Sequence, residues 1–162
     1  MDTVLSCLVT DSVGPGDYTE KFVKNAREVF GFDTAIAVRS PYLALFLALE
    51  RLGLAKDSAI GLSPLAPAYQ AGLVSSMGYK QVFIDHDADT ALPEIETVRA
   101  QGCAAYILFE PFGILPEKAP LDELGIPVIE DASQSLDAQR EGIRAGTLGN
   151  FALCGLEQGS PV

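Results

Sequence analysis

Basic charge is scarce in this sequence. Eleven lysines and arginines stand against 22 aspartates and glutamates, for a net charge of −11. A phosphate-backbone partner needs a basic face. Lys21, Lys24 and Arg27 make a small basic group on one early helix, which reads as a solvated face, so no nucleic-acid partner is expected. Histidine occurs once, as His86, and cysteine three times, as Cys7, Cys103 and Cys154. Cysteines that far apart and odd in number give neither a disulfide framework nor a zinc pattern. Cys103 and Cys154 lie in apolar runs and read as small core residues. No apolar run approaches the ~20 residues that span a bilayer, and the first residues lack the layout of a signal peptide. The expectation is a reduced, soluble cytoplasmic protein with no membrane contact. Lysine is absent after Lys118, which restricts amine chemistry over the last quarter of the chain.

What is present is a globular composition. The 162 residues are 48% hydrophobic, enough for one domain over 1–162 with a sizeable core. Short apolar runs alternate with amphipathic ones. Tyr18–Phe30 has apolar residues near helical spacing, with Gly31 as its stop. Ala35–Val38 reads as a short buried strand. Pro41–Leu52 reads as an apolar helix, with Ser40 at the N-cap, Pro41 at the first position and Gly53 after the end. Strand Ala59–Leu62, helix Ala66–Met77, strand Gln81–Ile84 and helix Leu92–Ala100 come next. Cys103–Phe109 is a fully apolar strand. Leu121–Leu124 is a helical turn, and Pro127–Ile129 and Phe151–Leu156 are the last strands. This alternation predicts an α/β fold: three layers, αβα, around a mostly parallel sheet of about six strands.

The most informative stretch is Pro127-Val128-Ile129-Glu130-Asp131-Ala132-Ser133-Gln134-Ser135. It reads as a buried strand that ends in two acids and then starts a helix. Open α/β sheets bind ligands beyond the carboxyl ends of their strands. Asp131 is placed to pair with a protonated pyridine nitrogen, or else to act as a helix N-cap or first-turn acid. Gln134 reads as an ordinary first-turn residue of that helix. His86 sits in Asp85-His86-Asp87-Ala88-Asp89, where neighbouring carboxylates predict a raised pKa on a solvated turn. That loop lacks the glycine and distal glutamate of an EF-hand. Gly14-Pro15-Gly16 follows no convincing βα turn, so it is a poor dinucleotide loop.

The order of motifs resembles the first half of the large domain of the DegT/StrS-type sugar aminotransferases, which depend on pyridoxal phosphate. The resemblance runs from about Tyr18 to Gly159. Ala35-Ile36-Ala37-Val38-Arg39-Ser40 with Ala44-Leu45 and Ala48-Leu49 resembles the family's SGT-x-AL…AL segment. Gly78-Tyr79-Lys80-Gln81-Val82-Phe83-Ile84-Asp85 resembles GA-x-PVFVD. Pro111-Phe112-Gly113 fits the loop before the next helix. Val128-Ile129-Glu130-Asp131-Ala132-Ser133-Gln134-Ser135 resembles VIEDAAQA, and Gly146-Thr147-Leu148-Gly149-Asn150-Phe151 resembles G-x-x-GD-x.

The resemblance implies cofactor contacts from Asp131, Gln134, Ser40 and Tyr42. The departures fall on chemistry. Pro41 and Tyr42 stand where the family has the phosphate-binding Gly and Thr, and proline has no N–H. For Ser40 and Tyr42, simple capping and packing is the rival to phosphate binding. Ala68, with Tyr69 beside it, stands where the family places an aromatic ring. The Schiff-base lysine position falls on Glu157, so no catalytic residue is assigned. The chain is therefore expected to be an aminotransferase-like large-domain fragment without the small domain, a pseudoenzyme with a binding or assembly role. Pyridoxal phosphate would bind without covalent attachment, if it binds. The expected partner is a second copy, as a homodimer, or a full-length aminotransferase. Two alternatives stay open. One is an active pyridoxal-phosphate sugar aminotransferase completed by a missing C-terminal half or a partner chain. The other is an α/β module for a small ligand in the old cleft.

Overall fold

The apolar run that the sequence offers as its most buried strand is the centre of the fold. In the computed structural model, which describes residues 2–10, 14 and 16–156, Ala105–Phe109 (β3) is buried at every position. A strand covered on both faces shows such a continuous run rather than an alternating one. Around it lie Ala59–Leu62 (β1), Lys80–Phe83 (β2), Val128–Asp131 (β4) and Phe151–Leu153 (β7). They form one five-stranded sheet in the order β2-β1-β3-β4-β7, with every pair parallel.

The side-chain period of two along each strand sends alternate residues to opposite layers. Pro41–Leu52 (α3) and Ala68–Ser76 (α4) cover one face. Their Leu45, Leu49, Leu73 and Val74 pack with Ile60, Ile107, Ile129 and Leu153 of the strands. Ile95–Ala100 (α5) and Lys118–Asp122 (α6) help cover the other face, where Val98 and Leu121 pack with Tyr106, Leu108 and Val128. The result is the three-layer α/β architecture with a mostly parallel sheet. On β4 the alternation puts Ile129 and Asp131 toward α3 and α4, and Val128 and Glu130 toward the opposite layer.

By its internal contacts the chain divides into two units, Met1–Ala37 and Val38–Val162. The first holds helices Asp2–Val9 (α1) and Asp17–Phe30 (α2), and none of its described residues is buried. The α1 helix was not expected from the sequence pattern. The second unit contains the sheet and both core clusters.

Several expectations are corrected. Ala35–Val38 is not a strand: among the described residues nothing pairs with it, and Ile36 is left 77% exposed. A run of β-formers becomes a strand only when a neighbour supplies its ladder. Among the described residues the sheet accordingly has five strands rather than six. Among the described residues no helix follows β4. Residues 133–137 are turns instead, and a short antiparallel ribbon, Gln139–Arg140 (β5) with Ile143–Arg144 (β6), comes after them. Its two-residue turn, Glu141-Gly142, has φ of 52° and 82°, the doubly positive geometry of a type I′ hairpin. β7 ends at Leu153, and residues 157–162 lie outside those described.

Candidate ligand site at the carboxyl ends of the strands

Parallel strands bring their carboxyl ends to one edge. Ser63 follows β1, Glu110 follows β3, Asp131 ends β4 and Cys154 follows β7. Register sets the neighbours: Phe109 lies beside Asp131, and Asp131 beside Leu153. Two layers of chemistry result, one on each face of the sheet.

On the α3/α4 face is Asp131, 1% exposed. Its Oδ2 accepts a hydrogen bond from Gln70 Nε2 at 2.6 Å and a longer one from the Tyr69 hydroxyl at 3.4 Å. Its Oδ1 accepts the Ser133 N–H at 3.1 Å, closing a local Asx turn. The Ser133 hydroxyl in turn accepts the Gly155 N–H at 2.9 Å. Asp131 is thus neither an N-cap nor a first-turn acid, because no helix begins there. Tyr69 connects this carboxylate to the start of α3, its ring lying 6.4 Å from that of Tyr42. Ser40, half-buried, caps α3 through its Oγ, which accepts the Leu43 N–H at 3.2 Å. Of the residues singled out from sequence, Asp131 and Tyr42 are linked through Tyr69, with Ser40 beside Tyr42 at the cap. Gln134 is exposed on the turn after β4. Ala68 is the exposed first residue of α4. Glu157 lies outside the described residues.

On the opposite face are two buried acids that the sequence pattern did not single out as site residues. Glu130 accepts backbone N–H groups from Gly146, from Leu148 at 2.7 Å and from Gly149 at 3.1 Å. It holds the turn before β7 against β4. Gly149 fits there because it has no side chain: a Cβ would stand 2.7 Å from the Val128 carbonyl oxygen. Glu110 accepts the Ser135 hydroxyl and is fully buried. Burial, and then the neighbouring Glu130 charge, push its carboxyl up to about 9. Burial also pushes the Cys154 thiol up to about 12, reinforced by Glu130, Asp131 and Glu110. The available signal was an acid at the end of an apolar run, twice, in Phe109-Glu110 and Ile129-Glu130. Such an acid is buried only when it finds partners or a proton.

His86 also departs from expectation. It is half-buried rather than on a solvated turn, with Nε2 3.3 Å from the Ser63 hydroxyl oxygen. Burial lowers its pKa and outweighs the raising effects of the Ile84 backbone and Asp85. The polar loop behind it is organised by Asp87, whose Oδ1 accepts from the Asp89 N–H and from both the N–H and hydroxyl of Thr90.

Residues 1–106 match the DegT/DnrJ/EryC1/StrS aminotransferase family. The chain belongs to that family. Curated relatives include the GDP-perosamine synthase of Caulobacter vibrioides, 26% identical over 159 residues that cover 93% of this chain and 43% of that protein. The dTDP-3-amino-3,4,6-trideoxy-alpha-D-glucose transaminase of Micromonospora megalomicea is 24% identical, over 94% of this chain and 42% of that one. Among solved structures, the aminotransferase from Psychrobacter cryohalolentis superposes with a TM-score of 0.84 at 24% identity, over 93% of this chain and 40% of that one. The E. coli GDP-4-keto-6-deoxy-D-mannose-3-dehydratase, solved with bound hydrated PLP, gives a TM-score of 0.82 at 21% identity, over 91% of this chain and 41% of that one. The chain therefore spans about two-fifths of the length of these relatives. No described helix is long and apolar enough to cross a membrane.

Proposed function

We propose that this chain is a sugar-aminotransferase family member that does not transaminate by itself and serves by binding or assembly. The start of α3 carries this reading. A phosphate at a helix start is held by free backbone N–H groups and hydroxyls. Here the Leu43 N–H is taken by the Ser40 hydroxyl oxygen, the Ala44 N–H bonds back to the Ser40 carbonyl at 3.1 Å, and Pro41 has no N–H. Beside the Ser40 and Tyr42 hydroxyls that leaves the Tyr42 N–H as the backbone donor of this turn, too few backbone donors to fit the phosphate of pyridoxal phosphate. Glu157 at the aligned lysine position, and the absence of lysine after Lys118, support the same reading. The expected partner is a second copy or a full-length aminotransferase. Exposed Leu65, Phe83 and Phe112, at 51%, 54% and 82%, are apolar surface that an assembly would cover.

The test is reduction of a pyridoxal phosphate mixture with borohydride, read by mass spectrometry. Sparse labelling of surface lysines is expected. A stoichiometric pyridoxyl adduct on one lysine, lost in Asp131→Ala, would overturn the proposal. Light scattering is expected to find a dimer, and a monomer at high concentration would count against assembly. The rival reading is a pyridoxal-phosphate sugar aminotransferase whose remaining portion lies elsewhere. It is favoured by the share of each relative that this chain spans. A visible aldimine band appearing only when a C-terminal half is supplied would select it.

A further inference from the structure

We propose that Gln70 is an internal plug of the Asp131 site, its side-chain amide standing where the N–H of a protonated nitrogen heterocycle would otherwise meet the carboxylate. Imine chemistry is a separate matter: the plug concerns the ring nitrogen and would hold whatever residue stands at the lysine position.

The geometry is that of a bound ligand supplied by the chain. Gln70 is fully buried, and its Nε2 lies 2.6 Å from Asp131 Oδ2. The amide orientation is fixed by electrostatics, since the reverse would set a carbonyl oxygen against a carboxylate oxygen at that distance. An amide N–H and a pyridinium N–H make the same kind of charge-assisted bond to a carboxylate. Ser133 N–H occupies Oδ1, and the Tyr69 hydroxyl reaches the same Oδ2 as Gln70. With Asp131 1% exposed, an incoming ring must first displace the amide.

The plug is incomplete in one respect. Gln70 Oε1 is buried and has no hydrogen-bond partner. A buried acceptor left unpaired is unfavourable, so swinging the side chain out restores water to both ends of the amide. The turn that carries it has no side-chain cap. Pro67, at the cap of α4, offers no side-chain bond, and the Gln70 N–H reaches the Pro67 carbonyl at 3.0 Å. The site is closed by one side chain, held by its 2.6 Å bond to Asp131 and left with one unpaired oxygen.

The probe is pyridoxamine, which carries the pyridine ring without a phosphate, has no aldehyde and forms no imine with any lysine. Its outcome is therefore independent of the borohydride experiment above. Binding is read by the probe's fluorescence with wild type, Gln70→Ser, Gln70→Ala, and each of these combined with Asp131→Asn. The single variants are expected to bind at least tenfold more tightly than wild type, with the gain abolished by Asp131→Asn. Equal affinity in wild type and variants, or a gain that survives Asp131→Asn, overturns the proposal. A readout on the wild-type chain stands even if the variants fail to fold: the ¹⁵N–¹H resonances of the Gln70 side-chain amide. They should be protected from exchange and should stay in place as the probe is added to concentrations that saturate an open site. Their displacement at low probe concentration would show that the amide is no plug.

Discussion

Replacing Glu110 with glutamine tests the buried acid pair most directly. In the folded chain the Glu110 carboxyl is pushed up to about 9, by burial first and by the Glu130 charge second, from an ordinary value of 4.5. The folded state therefore keeps a proton that the unfolded chain gives up near 4.5. Where the native state binds more protons, stability falls as pH rises, by at most about 1.4 kcal/mol per pH unit for one group. The contribution of the protonated carboxyl is complete below about 4.5 and is lost as pH climbs toward about 9. The groups around it are Glu130, Asp131, Ser135, Tyr106 and Cys154. Of these, Tyr106 and Cys154 are themselves raised and stay neutral through this window. Glutamine keeps the shape, cannot ionise, and can donate an N–H toward the Glu130 side. Between pH 6 and 8 wild type should lose on the order of 1–3 kcal/mol relative to Glu110→Gln. Against a total stability of ~5–15 kcal/mol that is readily measured. Urea midpoints of both proteins across this range give the difference, with other titrating groups cancelling in the comparison. Parallel pH profiles, or a wild type that gains on the variant as pH rises, would refute the reasoning.

Single contacts carry the other expected outcomes. Ser40→Ala removes the α3 cap and should lower stability by about 0.5–2 kcal/mol, read from a thermal or urea melt. Ser40→Asn, which can still cap, should recover most of the loss. Gly149→Ala sets a methyl 2.7 Å from the Val128 carbonyl and should cost ~1–3 kcal/mol; a melt within error of wild type would mean that the turn before β7 moves freely. Cys154, with its thiol held neutral up to about 12, should alkylate far more slowly at pH 8 than in urea. Peptide mass spectrometry after brief iodoacetamide treatment reads this, and labelling at the unfolded rate would contradict the burial.

The fold class and the order of its layers are written in local sequence pattern. Alternating apolar runs and amphipathic helices are local properties, and each kind of element can bury its apolar side in few ways. β1, β3 and α3 were legible to within a few residues for this reason. Ser40-Pro41 announced the helix start because capping is decided within four residues. Family motifs placed Asp131 at the carboxyl end of a strand. Other features depended on residues distant in the chain. Ala35–Val38 has the composition of a strand but finds no ladder. The segment after Asp131 turns rather than coiling into a helix, where Ser133 N–H bonds to the Asp131 carboxylate and Ala132 N–H to Leu153 at 3.0 Å. His86 has acids beside it in sequence, yet burial sets its pKa. Above all, Gln70 reaches Asp131 across 61 positions of sequence, and nothing in either local pattern announces that contact. Periodicity assigns a residue to a face of the sheet. Only the packed layers decide which side chain of the facing helix meets it, and whether a carboxylate placed to receive a ligand is already occupied.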